Sequence, residues 1–424
     1  MSDFYTMNES ENNINYYKNI LTLIFGSGLS HIIPFLLTPI LTRLYSTSEY
    51  GLFGFFISLL AISTMISTGR YHLAILLPKD ENESNCIKFI SITLSLLFCT
   101  LLTILIYVFF KLNLFGSLFA KTQNLIFFLP LATLSFSLFD ITNYTLNRNG
   151  QYKDMSFARI FRSFSREVLS IIFGIYTWGA KGLILGSILG NMIPVAIYRN
   201  KIFNNLSHDL DNAKVILKKH KDFPMYQMPS SALGSFSLQA PIYFFTAFYS
   251  LSIVGLFSLS TRLFSLPLSL LTASISQVFY KQISDFHNEK DYTSIKQIFY
   301  LTFKKLVLIG LPISIFLFLF SETLFYYVFG SDWVIAGLFV KYLVPGFFIK
   351  FIISPLTPIF LVKGQIKILS IWKVVQFIST ITTLFLCCYL INVKYIYITI
   401  MIYSIHEVII YMLCFILQIR ALKA

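Results

Sequence analysis

Apolar runs of about 20 to 25 residues follow one another along this chain, separated by short polar or charged breaks. Each is the length an α-helix needs to cross roughly 30 Å of hydrocarbon, so the pattern predicts a helical multispan protein and not a barrel. Composition agrees. Of 424 residues, 56% are hydrophobic and 12% charged, where globular proteins carry roughly 25% charged residues.

Several function classes fall away at once. The net charge of +14 comes from basic residues dispersed between apolar runs, with no basic stripe for nucleic acid. The cysteines Cys86, Cys99, Cys387, Cys388 and Cys414 form no CxxC pair and read as packing residues, without a disulfide framework or zinc site. A phosphate-loop motif is absent, because the chain contains no Gly-Lys dipeptide, and HExxH is also missing. The first sixteen residues are polar and slightly acidic, unlike a signal peptide, so the first apolar run is expected to be a retained span.

About twelve spans are expected, near 19–41, 50–69, 86–110, 123–146, 156–178 and 180–198, then 229–249, 252–279, 298–320, 333–361, 368–391 and 395–419. Of the 33 basic residues, 24 fall in or beside the N-tail, the loops after even-numbered spans and the C-tail. The positive-inside rule then makes both termini cytoplasmic. The expected organisation is a cytoplasmic tail over 1–18, six-helix bundles over 19–198 and 229–420, and a cytoplasmic linker over 199–228. Within that linker, AKVILKKHK reads as an interfacial amphipathic helix.

The halves echo each other. Tyr45-Ser46-Thr47-Ser48-Glu49-Tyr50-Gly51-Leu52-Phe53 matches Tyr249-Ser250-Leu251-Ser252-Ile253-Val254-Gly255-Leu256-Phe257 at six of nine positions. The segments Gly150–Ser156 and Gly364–Ser370 match at four of seven. Two six-span repeats have the same orientation, an arrangement of transporters whose substrate path lies between the repeats.

Ionisable residues inside spans cost at least about 2.5 kcal/mol by insertion scales. Arg262 lies deep in span 8. Arg159, Arg162 and Arg166 form one 60° stripe on span 5 at 100° per residue, and both a snorkelling reading and a functional one stay open for the first two. Either Asp140 or Glu167 is placed to neutralise Arg166. Lys341 and Lys350, nine residues apart, fall on opposite faces unless Pro345-Gly346 kinks the helix. His31 and the pair His406 and Glu407 are either packing groups or proton carriers. The deep charges are mostly cationic, which suits an anion such as a phosphate or diphosphate.

The stretches PFLLTPILTRLYSTSEYGLFGFFISLL, GRYHLAILLPKDENES and SLSTRLFSLPLSLLTASISQVFYKQIS resemble the Wzx-type O-antigen flippases, of the polysaccharide-transport branch of the multidrug/oligosaccharidyl-lipid/polysaccharide (MOP) exporter superfamily. The resemblance runs from about residue 18 to 420. It implies an all-α polytopic fold, with two six-helix bundles in a V around a central cavity. It also implies an undecaprenyl-diphosphate-linked oligosaccharide as substrate, moved between leaflets of the bacterial inner membrane during O-antigen and lipopolysaccharide synthesis, beside polymerase and chain-length components. Arg43 matches the arginine of the P-x-x-x-R-L-Y turn, Arg70 that of the GRYE-like turn and Arg262 that of the S-x-R-x-x-x-x-P pattern. His72 stands where the GRYE-like turn has a carboxylate. The expected substrate-binding set is Arg262, Arg166, Arg43, Arg70, Lys341 and Lys350. Candidates for H⁺ or Na⁺ coupling are Asp140, His31 and Glu407, and no other cofactor is expected. A cation-coupled exporter should carry more deep carboxylates, and a membrane O-antigen polymerase should carry a large charged periplasmic loop.

Overall fold

The computed structural model describes residues 22, 26–114, 120–122, 124–204, 206, 210–391 and 395–423; the tail expected over 1–18 lies outside them. Every described segment of length is helical, with a long helix at each expected span. In the first half these are α1 (26–44), α2 (Thr47–Ser67), α3 (Glu81–Lys111), α4 (Leu129–Arg148), α5 (Tyr152–Ile175) and α6 (Ala180–Ile197). The amphipathic α7 (Leu210–Lys219) follows in the linker. The second half contributes α8 (Met228–Phe248), α9 (Leu251–Asn288), α10 (Tyr292–Phe329), α11 (Val334–Ile353), α12 (Ile366–Leu390) and α13 (Ile396–Lys423).

Among the described residues, eight helices are long and apolar enough on their own to cross a membrane. The other four, α1, α5, α8 and α9, do not meet that measure. For α5 the reason is plain, since it carries Arg159, Arg162, Arg166 and Glu167 along its length. The expected span 333–361 coincides with the single candidate span Ser331–Val362, although its helix is interrupted. The run 333–361 is not one α-helix: α11 stops at Ile353, followed by 3-10 turn Ser354–Leu356 and the single turn Ile359–Val362. Pro355 and Pro358 lack the N–H a helix needs and bias the residues before them away from helical backbone. Pro345, by contrast, stays inside α11, and the Gly346 N–H donates to the Ser404 hydroxyl of α13 (3.1 Å).

The chain divides into two compact units, Met1–Tyr45 with Phe55–Phe236, and Ser46–Gly54 with Ser237–Ala424. The first is cored by Ile75, Ile87, Phe139, Ile141 and Leu146. The second is cored by Phe279, Phe299, Ile353, Leu356 and Phe360.

The repeated nine-residue motif is a capped helix start used twice. Ser46 and Glu49 cap α2 reciprocally, with Ser46 N–H to Glu49 Oε2 (2.7 Å) and Glu49 N–H to Ser46 Oγ (3.3 Å). At the equivalent position, Ser250 accepts from Ile253 N–H at the start of α9. Inside the second unit the two copies meet. A Cβ on Gly51 would collide with the Leu251 carbonyl, and one on Gly255 with the Thr47 carbonyl. Leu251 is the repeat counterpart of Thr47, so the contact is reciprocal, and only glycine allows the two backbones this close. The motif's tyrosines tie each copy down: Tyr45 OH donates to the Ser170 carbonyl of α5 (2.6 Å), and Tyr249 OH lies 3.0 Å from Thr399 Oγ1 of α13.

Candidate functional site

In the first unit, α4 and α5 are joined by a turn at Gly150, whose φ of +64° suits glycine. Behind α5, α6 approaches until a Cβ at Gly190 would lie 2.7 Å from the Arg166 Cα. That close packing holds the arginine stripe of α5 in register. Arg159 donates from Nε to Asn143 Oδ1 of α4 (3.1 Å) and from Nη1 to Ser27 Oγ of α1 (2.8 Å). The Arg162 guanidinium lies over the rings of Phe136 (4.9 Å) and Phe139 (4.3 Å). Cation–π contact of this kind fixes the plane of the guanidinium while leaving its in-plane donors for another acceptor.

Asp140, one α-helical turn from Phe136, is the carboxylate on which Arg162, Arg70 and Arg159 act. Arg166 is handled differently, since it pairs with its neighbour Glu167 through Nε (3.1 Å) and Nη2. His31 of α1 lies within electrostatic reach of Arg159, Arg166 and Arg162. With Arg166 and Glu167 neutralising each other, Arg162, Arg70 and Arg159 act on the one carboxyl of Asp140, which leaves a surplus of positive charge.

Arg70 enters this group from the loop before α3. Its backbone is left-handed (φ +62°) after Gly69 (φ +55°), an uncommon state for a non-glycine residue. Nη1 donates to the Met65 sulfur (3.2 Å), while the buried Nε has no hydrogen-bond partner among the described residues. His72, which stands where the resembling family has a carboxylate, is buried. Its Nδ1 lies 2.6 Å from Thr68 Oγ1, and its ring packs edge-on to Tyr144. Burial first, and the Arg70 charge second, push the imidazole down to about 3, so it is neutral at ordinary pH.

The second unit pairs the two lysines of α11 with carboxylates. Lys341 of α11 lies 3.2 Å from Glu322 of α10. Lys350, on the other side of α11, lies 3.9 Å from Glu407 of α13 and over the Tyr411 ring. His406 sits beside Glu407 (3.8 Å) and within 2.9 Å of Ser379 Oγ. The two lysines therefore face different neighbours, as nine residues on a straight helix require. Arg262 donates from Nη1 to Tyr50 OH (2.8 Å), and the Tyr50 ring rests edge-on against Trp333.

Of the residues expected from sequence, the structure gathers Arg70, Arg166, Asp140 and His31 around Arg159 and Arg162. Lys341, Lys350, Glu407 and Arg262 lie elsewhere, in the second unit, and Arg43 is exposed on α1. Arg159 and Arg162 were visible as part of the α5 stripe. What the stripe alone does not reveal is that α4 supplies aromatic and carboxamide partners that hold both inside.

Residues 40–336 match the family model described as Polysaccharide biosynthesis protein. No curated protein matches the sequence. Among solved structures, the chain is similar to a MOP superfamily transporter from Pyrococcus furiosus, with TM-score 0.59, 18% identity and 96% of each chain covered. It is also similar to lipid II flippase MurJ in an inward closed conformation, with TM-score 0.70, 16% identity, and 94% and 87% of the two chains covered. An outward-facing MATE family multidrug resistance transporter aligns with TM-score 0.57 at 16% identity, over 96% of each chain. These likenesses establish the fold as that of the MOP transporters.

Proposed function

We propose, from the premise that this chain belongs to the polysaccharide biosynthesis protein family and is a multi-pass membrane protein with the MOP transporter fold, that it flips an undecaprenyl-diphosphate-linked oligosaccharide across the bacterial inner membrane. The observation that carries this reading is the unbalanced cluster of Arg70, Arg159 and Arg162 around Asp140. A diphosphate diester carries two negative charges, which complement this surplus of positive charge. In a low-dielectric interior such complementarity acts far more strongly than in water, and guanidinium groups suit phosphate oxygens through paired donors.

In this reading both termini are cytoplasmic. The start of α5 faces the cytoplasm, and Arg159 and Arg162 lie about 10 to 15 Å along the helix at 1.5 Å per residue. The diphosphate binds there while the sugars follow through a polar path and the polyprenyl chain stays in lipid. Arg262, Arg166, Arg43, Lys341 and Lys350 remain candidates for contact along the path. No bond is made or broken. Asp140, His31 and Glu407 are the groups positioned to bind a coupling ion, and the membrane potential supplies roughly 2.3 kcal/mol per charge per 100 mV.

The test is to delete the gene in its host and measure surface polysaccharide together with the lipid-linked oligosaccharide. Loss of polymer with complete single units accumulating on the cytoplasmic face is the expected result. Persistence of polymer with raised sensitivity to cationic drugs would turn the assignment to an exporter, and units accumulating on the periplasmic face would turn it to a polymerase.

A further inference from the structure

A second polar feature of the first unit lies away from the arginine cluster. A pocket of about 180 Å³ opens where the start of α3, the end of α4, the turn before α5 and the short helix Arg199–Phe203 come together. The residues that line it are all of polar or charged type and include Lys88, Arg148, Lys201, Asn85, Asn204 and Glu81.

The cations are not equivalent. Arg148 spends its donors on backbone carbonyls, with Nη1 to Ile75 (2.9 Å) and Pro78 (2.7 Å) and Nη2 to Asp80 (3.2 Å). Lys201 donates to Gln151 Oε1 (2.8 Å) and Asp154 Oδ2 (2.7 Å). Lys88 is only 7% exposed and has no hydrogen bond or ion pair among the described residues. Glu81 and Arg148 act on it only at longer range and with opposite signs. With its stem enclosed, the ammonium meets solvent only through the pocket, and an ammonium so withdrawn from water is stabilised when an anion with several acceptor oxygens arrives. The carboxamide of Asn85, which is buried, and that of Asn204 at the exposed rim can donate to the same oxygens.

We infer that this pocket is a phosphate-binding site, with Lys88 as its recognising cation. At about 30 Å³ per water, the pocket holds a handful of waters or one phosphate group. The phosphate belongs either to a membrane phospholipid headgroup or to a soluble phosphorylated molecule. The inference does not depend on flipping, since it rests on Lys88 and the pocket alone.

The experiment uses the full chain in two arms. Titration calorimetry in detergent with inorganic phosphate reports the soluble source. Native mass spectrometry after reconstitution in phosphatidylglycerol and phosphatidylcholine reports a retained lipid. Saturable phosphate binding with no retained lipid, or a single retained phosphatidylglycerol, each supports the site and identifies its source. Lys88→Gln should weaken either signal on the order of tenfold or more. Asn204→Asp places a carboxylate at the exposed rim without touching the core, so it tests the site should Lys88→Gln fail to fold, and it should weaken binding in the same direction. Absence of binding in both arms, or binding unchanged in both variants, overturns the inference.

Discussion

The two units carry similar numbers of membrane-embedded charges and treat them in opposite ways. In the second, Lys341 has Glu322 and Lys350 has Glu407, so each α11 lysine is cancelled by a carboxylate, while Arg262 bonds to the Tyr50 phenol. In the first, among the described residues, Arg166 is cancelled by an adjacent partner, Glu167, while Arg70, Arg159 and Arg162 share Asp140. Paired charges keep helices in place. A surplus held by neutral partners such as Asn143, Ser27 and two phenylalanine rings is an arrangement that leaves room for an anion.

The largest expected effect follows directly. Arg162→Ala removes one cation of the surplus while Phe136 and Phe139 keep the space apolar, and loss of such a charge contact costs about 2–5 kcal/mol. Transport of the lipid-linked oligosaccharide in reconstituted vesicles should fall by roughly 30-fold or more. Normal transport by an Arg162→Ala protein that reaches the membrane would break the comparison, since the surplus would then be structural.

Next comes the buried pair of the second unit. Lys350→Met leaves Glu407 uncompensated and should destabilise the protein by about 3 kcal/mol, while adding Glu407→Gln should recover most of that loss. Thermal unfolding in detergent measures both. Recovery of stability together with transport would confirm that this pair is structural. If stability returns but transport does not, Glu407 belongs among the coupling groups.

The positions of the long helices were legible in the sequence, because hydropathy and length alone decide which segments can cross a bilayer. So was the repeat, whose serine caps and glycines recur at one spacing. Its reciprocal contact was not legible, since Gly51 meets Leu251 only when helices 200 residues apart cross. Pairing was hidden for the same reason. Glu322 falls just beyond the expected end of its span, and nothing local ties it to Lys341. The stripe of Arg159, Arg162 and Arg166 was legible as geometry on one helix, but which of the three has its own carboxylate depends on side-chain direction.

Arg262 offers a finer distinction. Its described partner is the phenol of Tyr50, and a hydrogen bond involving a charged group contributes about 1.5–3 kcal/mol. Tyr50→Phe should lower stability by about 1–2 kcal/mol, with the Trp333 contact retained. If transport falls far more than stability, Arg262 needs that orientation to work on substrate.

The pH dependence should be confined to acid conditions and of known sign. His72 is near 6.5 unfolded and about 3 folded, so between those values the unfolded chain binds the extra proton and stability rises with pH. The contribution is complete above 6.5 and is lost as pH falls toward 3, at about 1.4 kcal/mol per unit. His72→Gln should flatten that slope in a thermal-unfolding series. Transport between pH 7 and 8 should not respond to the substitution through charge, because His72 adds nothing to the surplus there.

The smallest effect is expected at Lys341 and Glu322. Both side chains are about two-fifths exposed in the structure, at 36% and 43%, so in the membrane they face lipid headgroups, water or substrate. Pairs with that access contribute about 0–1 kcal/mol, and a double-mutant cycle of Lys341→Met and Glu322→Gln should give a coupling energy inside that range. A coupling several times larger would mean that the pair is sealed within the membrane. In that event the second unit would be as strictly charge-balanced at Lys341 as it is at Lys350, and the contrast with the arginine surplus of the first unit would sharpen.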